Sequence, residues 1–189
     1  MLHTLFCDSA EMEKIILIGR GLSLDTVSMV AKFEHLRVLE LVGMGEALDI
    51  DVLERIGALP SLVSLTLDFT ESTIVLTLEK DIGLKDLKSL TVTAPLPFTR
   101  SFLPKISTTT LESLGAMCPS QPLSNKKEFL EEVVERWGET LRRVELVHQQ
   151  VQVDAGGAGG TLLDMELLSM DALALLLPLK KLTYLKLEG

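Results

Sequence analysis

LRVLEL at 36–41, LVSLTL at 62–67 and LKSLTV at 87–92 are three copies of one short phrase, with leucine first and fourth and an aliphatic residue sixth. Looser copies stand at 12–17 (MEKIIL), 111–116 (LESLGA), 141–146 (LRRVEL) and 182–187 (LTYLKL). Start-to-start spacings are 24, 26, 25, 24, 30 and 41 residues. A recurring unit of this size is one strand plus a returning segment, too small to bury its apolar side except against its neighbours. Side chains along a strand alternate between two faces. Phrase positions 1, 4 and 6 are therefore expected in a core, and positions 3, 5 and 7 on an open face.

The period predicts an α/β leucine-rich-repeat solenoid, with a curved parallel sheet inside and helices or irregular segments on the convex side. Residues 1–189 are read as a single domain of about seven repeats. The segments between phrases supply the returning elements. Asp25–Phe33 carries Val27, Val30 and Ala31 at helical spacing behind a possible cap at Asp25, and Asp49–Leu59 carries Val52, Leu53 and Ile56. Thr73–Ile82 reads equally as strand or helix, and Thr99–Ile106, interrupted by Pro104, reads as a turn of helix or 3₁₀. Asn125–Trp137 is the clearest helix: Asn125 and Glu128 form a start signal, and Phe129, Val133 and Trp137 fall at i, i+4 and i+8. Leu130 and Val134 widen that stripe, so the lone tryptophan is expected in the core, with Glu131, Glu132, Glu135 and Arg136 on the wet side and Gly138 ending the helix.

Two stretched spacings have local causes. Pro119–Ser124 inserts a loop, and 149–161, with glycines at 156, 157, 159 and 160, is expected to be a flexible excursion. The run Leu162–Leu179 is apolar enough to suggest a membrane span, but Asp164, Glu166, Ser169, Asp171 and Pro178 interrupt it. A buried convex-side helix is expected there. The stretch 2–7 (LHTLFC) resembles a further phrase, and neither end carries the polar cap that closes a stacked core. The chain is therefore expected to be a fragment of a longer protein.

Composition narrows the function. A net charge of −9 disfavours binding to phosphate backbones, and no basic amphipathic helix is present to hold a membrane surface. The glycine run lacks the lysine of a phosphate-binding loop, since Thr161 and Leu162 follow Gly160. His3, His35 and His148 lack metal-ligand spacing, Cys7 and Cys118 form no paired motif, and no serine sits in a nucleophile elbow. No enzyme, cofactor or metal site is expected, nor a nucleic-acid or membrane partner. The sparse cysteines and the lack of a secretory signal at Met1–Cys7 predict a cytoplasmic or nuclear protein.

What remains is the open face, and a protein partner is the ligand class that fits it. Alternation places Lys14, Ile16 and Ile18 there, then Val38, Glu40 and Val42, Ser64, Thr66 and Asp68, and Ser89, Thr91 and Thr93. Ser113, Gly115 and Met117, Arg143, Glu145 and Val147, and Tyr184, Lys186 and Glu188 complete it. Val38, Glu40, Thr66, Asp68, Thr91, Arg143, Glu145, Tyr184 and Lys186 are the candidate contact residues. Tyr184 is the foremost anchor, because tyrosine is enriched at binding hot spots.

The phrases at 36–41, 59–68 (LPSLVSLTLD) and 179–187 (LKKLTYLKL) resemble the irregular repeats of F-box proteins, especially the divergent sets of mushroom-forming fungi. The resemblance spans Met12 to Gly189. It implies the substrate-recognition part of a ubiquitin-ligase adaptor, whose F-box would dock on a Skp-type adaptor. No F-box is visible in this sequence, so Skp binding is expected only where one lies upstream. The Asn or Cys that forms a ladder in regular repeats is replaced by Arg20, Met44, Thr70, Pro95, Pro119 and Gln149. Irregular curvature and individual solutions for the backbone hydrogen bonds are expected to follow. The competing reading is a regulatory or structural repeat scaffold unrelated to ubiquitin.

Overall fold

The computed structural model describes residues 11–19, 24–30, 32–43, 50–69, 81–119, 126–149 and 170–188. Among them, each phrase from its third residue onward is a strand: β1 (Lys14–Ile18), β2 (Val38–Val42), β3 (Ser64–Asp68), β4 (Ser89–Thr93), β5 (Ser113–Pro119), β6 (Arg143–Gln149) and β7 (Tyr184–Glu188). All pair in parallel, in sequence order, in one open sheet. Parallel neighbours require crossovers. These contain α1 (Leu24–Val30), α2 (Ile50–Gly57), α3 (Leu96–Phe102) with a 3₁₀ turn at Leu103–Lys105, α4 (Lys126–Trp137) and α5 (Met170–Leu176).

The register sets each phrase on the next without slippage. Ile15, Leu39, Leu65, Leu90, Leu114, Val144 and Leu185 are successive partners across the seven strands. From Leu39 to Val144 these side chains are at most 1% exposed, and the first-position leucines Leu36, Leu62, Leu87, Leu111 and Leu141 are equally buried. A one-residue slip would turn a whole strand's apolar set into water, at roughly 2 kcal/mol per leucine.

The backbone at the start of each strand repeats as well. The carbonyl at the second phrase position accepts the amides of the second and third positions of the following phrase. Glu13, Arg37, Val63, Lys88, Glu112 and Arg142 all do this, at 2.8–3.0 Å. These six junctions stand at the strand starts, apart from the ninth phrase positions where individual loop solutions are expected, of which Arg20, Met44 and Thr70 lie outside the described residues. The bond uses main-chain atoms, so a missing Asn or Cys does not disturb it.

The helices pack on the opposite side from the expected open face. In α2, Val52, Leu53 and Ile56 are almost wholly buried. Its last residue, Gly57, offers its carbonyl to the Leu84 amide at 3.1 Å, and a Cβ on Gly83 would stand 2.1 Å from that oxygen. Only glycine permits so close an approach. The apolar stripe of α4 is as expected: Phe129, Leu130, Val133 and Trp137 are buried, and Trp137 Nε1 donates to the Thr108 carbonyl at 2.8 Å. Thr108, itself buried, donates its hydroxyl to the Leu87 carbonyl at 2.9 Å.

Three expectations are corrected. The segment read as beginning at Thr99 is already helical at Leu96. Pro97 lies in the first turn, where its missing N–H has no intrahelical partner to lose, and Phe98 stacks on Phe102 and meets Phe69 at a tilt of 55°. Arg136 does not simply face water. Its guanidinium donates to the carbonyls of Leu103 (3.1 Å), Pro104 (2.7 Å) and Ile106 around the 3₁₀ turn and lies 5.1 Å from the centre of the Trp137 ring. Partial burial there lowers its pKa, opposed by the charge of Asp81. Finally, the described part of Leu162–Leu179 is helical only at Met170–Leu176 and one-sided: Leu176 and Leu179 are buried, whereas Leu173 and Leu177 are exposed.

The readings of 2–7, of 73–80 within Thr73–Ile82, of the Asn125 cap and of the excursion at 150–161 lie outside the described residues.

Candidate functional site

Phrase positions 3, 5 and 7 lie on the sheet face opposite the buried leucines, and pairing arranges them in rows. The central row reads Ile16, Glu40, Thr66, Thr91, Gly115, Glu145, Lys186. Strands are spaced about 4.8 Å apart, so this row is roughly 29 Å long. That length is on the scale of a protein contact rather than a small-molecule pocket.

Charged residues close to the row ends are paired within the face. Lys14 Nζ lies 2.9 Å from Glu40 Oε1. Arg143 pairs with Glu145, and its guanidinium carbon stands 4.0 Å from the centre of the Tyr184 ring. Lys186 Nζ is 2.8 Å from a Glu188 carboxylate oxygen, and that hydrogen bond raises the lysine pKa above its usual value. The predicted residues Arg143, Glu145, Tyr184 and Lys186 thus converge on β6 and β7. Val38 and Glu40 stand on β2, Thr66 and Asp68 on β3 and Thr91 on β4, each at its predicted outward position.

Between the charged ends the side chains are short. Gly115 sits beside Thr91, and a Cβ added there would lie 3.2 Å from both Thr91 Oγ1 and Thr91 Cγ2. Gly115 and Thr93 are buried despite their outward parity, so neither is an accessible contact. The face therefore has a low, hydroxyl-bearing centre flanked by taller ion pairs.

No family model, curated protein or solved structure matches this chain. The physical character of the face is accordingly the ground for a functional reading. Its cations and anions neutralise one another locally, which gives little long-range attraction for a polyion. At short range they impose a fixed pattern of donors and acceptors, the kind of complementarity that confers specificity. Among the described residues, no cluster of three His, Cys, Asp or Glu is placed to hold a metal ion, and no helix is long and apolar enough to cross a membrane.

Sequence reasoning missed Lys14 and Glu188 as partners of Glu40 and Lys186. Their outward parity was legible; their pairing depends on side-chain reach, which residue type and spacing leave open. It also treated Tyr184 as a lone anchor, whereas Arg143 lies over its ring.

Proposed function

We propose that this chain is the leucine-rich-repeat region of a non-enzymatic recognition protein, and that the open sheet face holds a protein partner. The observation that carries the reading is the unbroken register, which presents phrase positions 3, 5 and 7 on one surface while the helices cover the other. By the resemblance of its phrases, the role is substrate recognition in an F-box type ubiquitin-ligase adaptor. Its mechanism is positional: the face holds a target at a fixed distance from catalytic subunits carried elsewhere. Cytoplasm or nucleus is the matching location.

Two variants test the face. Tyr184→Ala removes the aromatic platform beneath Arg143, and Glu40→Lys reverses the charge beside Lys14. Each is expected to weaken binding of a protein captured by the unmodified chain about tenfold or more, with little change in melting temperature. If both variants bind like the parent, the contact lies off this face. Co-purification with a Skp-type adaptor, using the reading frame extended upstream, tests the ubiquitin connection. An intact F-box that fails to bind Skp would leave the scaffold reading.

A further inference from the structure

On the helical side, the 3₁₀ turn and the last turns of α4 enclose a groove of about 500 Å³. Leu103, Pro104, Val133 and Trp137 form its apolar lining, with Glu132, Glu135 and Arg136 completing it. The volume falls within the ~300–1,000 Å³ typical of sites that enclose small ligands or single side chains. We propose that this groove binds a peptide segment in which an aliphatic side chain is followed by lysine or arginine.

The aliphatic group is specified by the lining. Leu103, Val133 and Trp137 are nearly buried and form a floor, while Pro104 is exposed and forms a wall. The charge is specified by three independent features. First, the groove's own cation is already committed, because Arg136 donates to the carbonyls of Leu103, Pro104 and Ile106 and lies beside the Trp137 ring. An incoming anion would meet a guanidinium engaged with the turn, flanked by two carboxylates. Second, Glu135 is exposed and has no ion-pair partner among the described residues, whereas Glu132 lies 3.7 Å from Arg100. A ligand ammonium or guanidinium would supply the missing partner. Third, the groove lies at the C-terminal end of α4, where the helix dipole favours positive charge. This site is on the other side of the sheet from the proposed recognition face and does not depend on it.

The chain has a single tryptophan, and it lines the groove. Its fluorescence therefore reports occupancy directly. Titration with acetyl-Leu-Lys-Leu-amide is expected to give a saturable change, with a Kd near ~1 mM. Acetyl-Leu-Glu-Leu-amide should bind at least about tenfold more weakly, because it sets a carboxylate against Glu132 and Glu135. Glu135→Gln should weaken the basic peptide about fivefold, and added salt should weaken it further. Glu131→Gln, on the same helix but outside the groove, should leave the titration unchanged. The proposal is overturned if the two peptides titrate alike or if no saturable change occurs up to about 10 mM. It is also overturned if Glu131→Gln acts as strongly as Glu135→Gln. Thr91→Arg, on the open face, should not affect the titration, so loss of the recognition face and loss of this groove remain distinguishable.

Discussion

Leu90→Ala is expected to lower the unfolding free energy by about 3–5 kcal/mol, the upper part of the range for leucine truncation in a core that cannot collapse. Leu90 is fully buried in β4, with Leu65 and Leu114 as its register partners on either side. Regular strands fix the spacing on both sides, so the cavity has little means of closing. The matching change at the described edge of the ladder, Leu185→Ala, should cost only about 1–2 kcal/mol, because Leu185 is already 38% exposed. Urea denaturation followed by circular dichroism measures both. Equal losses would contradict a core that is continuous at the centre of the ladder and shallow at β7.

The second large effect is at Trp137. Trp137→Ala should cost about 3–5 kcal/mol, because it empties the end of the α4 stripe and leaves the Thr108 carbonyl without its indole donor. Trp137→Phe retains much of the apolar bulk and removes the donor. A loss of about 1–3 kcal/mol is expected from that change, reflecting mainly the unsatisfied carbonyl. Urea midpoints followed by far-ultraviolet circular dichroism compare the two without relying on indole fluorescence. A phenylalanine variant as stable as the parent would show that this bond contributes nothing net.

The parallel α/β architecture was legible because its signal is repetitive. Leu36, Leu62, Leu87, Leu111 and Leu141 mark the register long before any contact is known, and a period of two then assigns Glu40 or Thr91 to a face. Helix α4 was legible because Phe129, Val133 and Trp137 form a stripe while glutamates fill the remainder. Elements without that redundancy were less so. The start of α3 was misplaced: the helical reading began at Thr99, although Pro97 in the first turn is compatible with a helix that starts at Leu96.

Other features lie beyond any local pattern. The contact of Arg136 with three carbonyls joins residues about thirty positions apart, and an arginine flanked by glutamates ordinarily signals solvent. The double-acceptor bond that recurs from Glu13 to Arg142 involves only main-chain atoms, so no residue type announces it. On the candidate face, membership was legible by parity. The burial of Thr93 and Gly115 was not, since parity assigns a residue to a face and leaves its exposure open. That difference shifts attention from the whole face to its accessible centre at Thr66 and Thr91 and to the cluster around Tyr184.

The most direct test of recognition by the open face is the affinity of a captured protein partner for Thr91→Arg, compared with Glu131→Arg on the helical side. Thr91 sits mid-row between Thr66 and Gly115, where a long cationic side chain would stand across the low centre. The account predicts a loss of at least about thirtyfold for Thr91→Arg at an unchanged melting temperature, and parent-like affinity for Glu131→Arg. Parent-like affinity for Thr91→Arg, with binding lost in Glu131→Arg, would contradict it.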